Sequence, residues 1–248
     1  MVILDLEDSV APADKAAART AIAEWLSASQ PVMVRINTSE SEWFSGDLML
    51  ANHPAIIGVL LPKAEREEEI HLVTAKFGSG VAILPQIETA KGFRNALTLG
   101  GVENVQRLLF GSIDFQLDLG MIAEEDELLY FRSQIVLDSR LAGILPPVDG
   151  VTTDINSPDR VRTDTLRARR LGFGGKMCIH PKQVPIVNEC FAPSAEEIAW
   201  AQRVVDASSA APGAAISVDG KMVDRPVLAR AQAILAVARQ SQTRPSGA

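Results

Sequence analysis

Short apolar runs begin near positions 2, 32, 56, 81, 107, 142 and 174 of the chain. An interval of roughly 25–35 residues is that of repeated strand–helix units. The stretches between the runs carry helix signals. Pro12 opens one helix, with Ala18, Ile22, Trp25 and Leu26 on a common face. Further helices are predicted up to about Asn52, then over 66–77, 90–99, 124–139 and 158–171, the last stopped by Gly172. Such alternation implies a parallel sheet with helices outside it. Polar residues stand at or just past nearly every run: Asp8, Arg35, Lys63, Glu88, Asp114, Asp149 and His180. A ring of this kind suits a (β/α)8 barrel, whose loops converge on one face. A doubly wound sheet would gather function at one switch point, and no GxGxxG follows the first run. The expected fold is therefore α/β, a TIM-type barrel. Seven units are counted where closure needs eight, so the barrel reads as lacking its first strand, with two edges for another segment or subunit to cover.

From Pro193 the pattern changes. Ser194-Ala-Glu-Glu197 fits a capping box that opens a helix. Ala207–Gly213 reads as a small-residue linker, Ile216–Pro226 as a hairpin or loop, and Val227–Ala238 as a final helix. The tail Ser241–Ala248 is expected to be disordered. This divides the chain into a barrel domain, 1–191, and a C-terminal helical arm, 192–248.

Lys plus Arg is 24 and Asp plus Glu is 31, so the net charge is 24 − 31 = −7. That argues against a nucleic-acid partner, which calls for a basic face. No apolar stretch is long enough to span a membrane, and Met1-Val-Ile-Leu-Asp-Leu6 has no basic n-region of a signal peptide. Cys178 and Cys190 show neither a disulfide framework nor zinc spacing, as expected of reduced thiols in a cytoplasmic protein.

Two runs end in a single carboxylate, Glu88 and Asp114. Acids on neighbouring strand ends can hold a hard divalent cation, with water and substrate filling its other positions. Equally, each can be an acid in the first turn of a helix, favoured by the dipole. Arg35 ends an apolar strand, so its head must reach the mouth, to grip a substrate carboxylate or to pair with Glu7 or Asp8. Glu7 and Asp8 can hold a metal-bound water or orient Arg35. Gly111 and Ser112 can form a turn that offers backbone N–H groups to an anion, or a tight turn only. His180 before Pro181 reads as a structural hydrogen-bonder. Lys63 reads as structural or anion-facing, and Arg162, Arg167, Arg169 and Arg170 as a solvated helix face.

Six segments carry a resemblance: Leu4-Asp-Leu-Glu-Asp-Ser-Val10, Val34-Arg-Ile-Asn37, Leu84-Pro-Gln-Ile-Glu-Thr-Ala90, Phe110-Gly-Ser-Ile-Asp114, Gly175-Lys-Met-Cys-Ile-His-Pro181 and Asp219-Gly-Lys-Met-Val-Asp-Arg-Pro226. In this order they resemble the citrate lyase β-subunit-like proteins of the HpcH/HpaI aldolase superfamily. The family's usual first strand, with an Arg-Ser…Phe-Val-Pro-Gly-like motif, has no match here, in line with the count of seven. The resemblance implies Mg²⁺ held by Glu88 and Asp114, with Arg35, Gly111 and Ser112 at the substrate. It implies a carbon–carbon lyase that splits a 3-hydroxyacyl-CoA of the citryl-CoA or malyl-CoA type into an acyl-CoA and a 2-oxo acid, or joins them. The residue matching the catalytic base is Asp224, reaching in from a neighbouring subunit of a homo-oligomer, often a trimer; read without the resemblance it is a loop aspartate capping the last helix. Two alternatives stand beside this: a non-catalytic accessory subunit binding a dicarboxylate or a partner, and a CoA-free aldolase for 2-oxo acids.

Overall fold

The structure, a computed structural model, describes residues 1–122, 125–210 and 216–243. The chain forms two compact units, 1–183 and 184–248. The expected boundary at 191/192 falls later, after the helix Gln183–Phe191.

The first unit is built on seven strands: β1 (Ile3–Asp5), β2 (Val32–Arg35), β3 (Ile56–Leu61), β4 (Ala82–Ile87), β5 (Leu109–Phe110), β6 (Val148–Asp149) and β7 (Gly175–Lys176). All pair in parallel, and their spatial order is their sequence order. A doubly wound sheet reverses direction at a switch point; this one never does, as in a barrel. Among the described residues β1 and β7 are the two edges of the sheet. Val2 and Ile3, on the β1 side, are correspondingly exposed.

Alternation along the strands sorts the residues into layers. Leu60, Leu84 and Leu109 form a buried cluster, with Met33, Ala82, Val148 and Met177 packed on it. Two residues further along β2, β4 and the exit of β5 come Arg35, Gln86 and Gly111. An apolar floor thus gives way to a polar layer at the C-terminal end of the sheet.

Several elements differ from expectation. Asp114 does not end a strand. β5 stops at Phe110, and a helix, α1 (Ser112–Leu119), begins two residues on. The run 108–115 is apolar enough for a strand, but tertiary packing decides its second half. Phe115 is fully buried in an aromatic cluster, with ring centroids 5.3 Å from Phe110, 4.8 Å from Phe131 and 5.6 Å from Phe93. Only a helical turn after Gly111 brings Phe115 back onto Phe110. The predicted helix 90–99 is two short ones, Ala90–Arg94 and Ala96–Gly100. Trp25 is exposed, not buried beside Leu26. The arginines of the helix Pro158–Leu171 are not a bare solvated face: Arg167 pairs with buried Asp164 at 3.0 Å, and Arg162 and Arg169 have partners too.

In the second unit the capping box forms as expected. The Ser194 N–H donates to Glu197 Oε2 at 2.8 Å, and the Glu197 N–H to Ser194 Oγ at 3.1 Å. Helix 195–210 runs further than expected into the predicted linker, whose remaining residues, 211–213, lie outside the described ones. The antiparallel hairpin Ile216–Val218/Lys221–Val223 follows, then the helix Arg225–Thr243. That helix enters the tail expected to be disordered; 244–248 lie outside the described residues. Ala201, Val204, Val218, Val223 and Ala231 form this unit's own core.

Candidate active site

A cavity of about 580 Å³ opens at the C-terminal end of the strands. Asp5, Arg35, Gln86, Gly111, Ser112 and Asp114 are among its lining residues. That is the size of a small-molecule site.

Strand register explains the grouping. Asp5 and Arg35 are direct partners across β1 and β2. Leu61 pairs with Pro85, and Ile87 with Phe110. One or two residues beyond those pairs, Lys63, Glu88 and Gly111 come side by side. The Lys63 N–H donates to Glu88 Oε1 at 2.7 Å, and Gln86 Nε2 to Glu88 Oε2 at 2.6 Å. Gly111 supplies the room: a Cβ there would collide with Glu88 Oε2 and approach its Cβ within 2.7 Å.

Lys63 Nζ lies 3.0 Å from Glu7 Oε1, 3.9 Å from Glu88 Oε1 and 3.8 Å from Asp114 Oδ1. Glu88 and Asp114 therefore converge on one cation. Arg35 forms a fork on Asp5 (Nε–Oδ1 2.7 Å, Nη2–Oδ2 2.6 Å), with Nη1 at 2.9 Å from Glu7 and 3.5 Å from Asp8. The Glu7 contact is an ion pair without hydrogen-bond alignment. Buried Lys15 donates to the Leu6 and Glu7 carbonyls at 2.7 Å each and so fixes the loop that carries Glu7.

Burial is the largest influence on Glu88; with the nearby charges of Glu7 and Asp114 it pushes the carboxyl up to about 7 against the pull of Lys63. Burial also raises Glu7, helped by Asp8 and opposed by Arg35 and Lys63. For Lys63, burial works downward, but Glu88 and Glu7 outweigh it and hold the ammonium above its ordinary value. For Asp5, burial works upward and the Arg35 contacts outweigh it, so the carboxyl is lowered.

The sign for stability follows from Glu88. Its carboxyl titrates near 4.5 when unfolded and about 7 when folded, so the folded state holds the extra proton between those values. Metal-free protein is therefore expected to lose stability as pH rises from about 4.5 to about 7, by up to ~3 kcal/mol. Melting curves across that range should show the slope in wild type and a shallower one in Glu88→Gln. An equal slope in both would exclude Glu88 as its source.

The donor set fits a hard divalent ion. Asp5, Glu7, Asp8, Glu88 and Asp114 against Arg35 and Lys63 give 2 − 5 = −3 when all are ionised. Gln86 Oε1, buried and without a hydrogen-bond partner, is a further oxygen beside the cavity. Among the described residues no group of three or more His, Cys, Asp or Glu side chains is arranged to hold a metal. Two carboxylates with water suit Mg²⁺, which keeps much of its hydration.

Other expected site residues fall as follows. The Gly111 N–H is taken by the Ile87 carbonyl at 2.9 Å, which fits the tight-turn alternative at that residue. Gly111 matters for the space it leaves, and the donors at this turn begin with Ser112, the first residue of α1. Asp224 belongs to the second unit, where Oδ1 accepts from the Val227 N–H at 3.1 Å at the start of the last helix. Sequence reasoning missed Asp5 as the chief partner of Arg35, whereas Lys63, read as structural or anion-facing, is both: its N–H holds Glu88 and its ammonium faces the acids. The same-level pairing of β1 with β2 was the available signal for Asp5.

Residues 1–181 match the family described as HpcH/HpaI aldolase/citrate lyase. The chain belongs to this family. A citrate lyase subunit beta-like protein of Deinococcus radiodurans is 38% identical over 250 residues, covering 94% of this chain and 87% of the relative. The mitochondrial citramalyl-CoA lyase of Rattus norvegicus is 31% identical, covering 95% and 78%. A crystal structure of CitE from Mycobacterium tuberculosis, in complex with magnesium, acetoacetate and coenzyme A, superimposes with a TM-score of 0.85 at 33% identity, over 96% of this chain and 90% of that one. As an HpcH/HpaI family member with these relatives, the protein is a carbon–carbon lyase. No helix among the described residues is long and apolar enough to cross a membrane.

Proposed function

We propose that the protein is a Mg²⁺-dependent lyase that splits a 3-hydroxyacyl-CoA of the citryl-CoA, malyl-CoA or citramalyl-CoA type into an acyl-CoA and a 2-oxo acid, or runs the reverse condensation. The observation that carries this reading is the convergence of Glu88 and Asp114 on one cation position beside a cavity. The relative solved with magnesium, acetoacetate and coenzyme A supports it.

When bound, Mg²⁺ would polarise the carbonyl oxygen of the 2-oxo acid as a Lewis acid. Glu88 and Asp114 would hold it. Glu88, anchored by the Lys63 N–H and Gln86, is fixed in place before the ion arrives. The N-terminus of α1, from Ser112, presents N–H groups to the acid's carboxylate. Arg35 keeps its fork on Asp5 and offers its remaining Nη hydrogens to charge that builds on the substrate. In cleavage the substrate's hydroxyl would give its proton to solvent water, the electron pair of the carbon–carbon bond would pass to the thioester side, and a thioester enolate and the 2-oxo acid would result. Asp224 would return a proton to the enolate carbon, and in condensation would remove it. That role calls for a homo-oligomer, a trimer on the family pattern, in which a neighbour's Asp224 reaches the cavity. Glu7 and Asp8 position Arg35 and Lys63. A cytoplasmic setting fits the free thiols.

Thermal melting with Mg²⁺ plus oxaloacetate, with and without acetyl-CoA, tests the reading. Any true ligand at one hundred times its Kd adds ~2.7 kcal/mol of stability. Shifts with both the acid and the thioester are expected. A shift with the acid alone would favour a CoA-free aldolase or an accessory subunit, and turnover of a hydroxy-oxo acid separates those two.

A further inference from the structure

Lys63 has two roles at one place. Its N–H fixes Glu88, and its ammonium stands among Glu7, Glu88 and Asp114. The backbone there is left-handed, φ +48°, a conformation that residues with side chains adopt rarely. That turn brings N–H and ammonium to the same cluster; an extended residue would send its side chain elsewhere. The ammonium is the only Lys or Arg group recorded within 4 Å of Glu88 or Asp114 among the described residues.

We propose that the Lys63 ammonium competes with the divalent ion for these carboxylates and so holds metal affinity down. The inference rests on the reading of Glu88 and Asp114 as metal ligands and goes beyond it. Without metal, Lys63 neutralises part of a cluster that is otherwise strongly negative. With metal, two cations share the same few ångströms, and their repulsion is large at that range. The site then releases its ion readily, and Glu7, the closest partner at 3.0 Å, retains the ammonium.

Mn²⁺ binding to the full chain, followed by electron paramagnetic resonance, tests this without recourse to turnover. Lys63→Met keeps the backbone donor and much of the side-chain volume but removes the charge. It should bind Mn²⁺ about ten-fold more tightly or better, the scale of one lost charge repulsion. Lys63→Arg, which keeps the charge, should stay near wild type. Lys63→Gln gives the same comparison if the methionine variant does not fold. Unchanged or weaker binding in the uncharged variants, or equal tightening by arginine, would overturn the proposal while the metal site stands. Wild type that binds no Mn²⁺, or binding that survives in Glu88→Ala and Asp114→Ala, would overturn the metal reading and this inference together.

Discussion

Glu88→Gln is expected to lower turnover by about 10²- to 10³-fold with the fold retained, the scale of losing one group that stabilises developing charge. The substitution keeps volume and removes the ligand charge. The new carbonyl can still accept the Lys63 N–H. The new amide faces Gln86 Nε2, but Gln86 can turn its unsatisfied Oε1 toward it. Both buried contacts therefore survive, and what is lost is the metal. Asp114→Asn should behave alike, from a more exposed position. Kinetics with added Mg²⁺, beside a melting curve, decide the matter. Full activity in either variant would remove the proposed metal site.

Arg35→Ala is expected to destabilise the protein by about 3 kcal/mol and to abolish activity. Among the described residues Arg35 is the one cation paired with Asp5 and one of two paired with Glu7. Both carboxylates are mostly buried and would be left as near neighbours at the end of β1 without the guanidinium between them. Arg35→Lys should recover only part of either loss, because one ammonium cannot make the two-pronged contact with Asp5. Denaturant titration reads the stability. A loss below ~1 kcal/mol would mean that the cluster is solvated and its ion pairs are weak.

Glu88 and Arg35 were legible because each follows an apolar run in a repeating pattern, and in a parallel sheet such ends meet at one face; Asp114 was singled out by the same pattern but stands in the first turn of α1, not at a strand end. Asp5 was not, because a charge inside a strand reads as an outward residue until its neighbour strand is known. Lys63 was read as structural or anion-facing, and it is both, but the sequence did not say which acids it faces. Its left-handed backbone points the ammonium inward, and no pattern of residue types announces a positive φ at lysine. The helix at Ser112 was hidden by its own hydrophobicity: Leu108–Phe115 suits a strand, and the aromatic cluster around Phe115 overrides that preference.

Periodicity of apolar and polar residues alone determined that this chain builds consecutive parallel strands with helices between them, since burial demands that spacing whatever the neighbours are. Only the tertiary structure decided which charges stand together. The pairing of side chains from separate strands depends on register and on single backbone angles, and these are set by packing across the sheet.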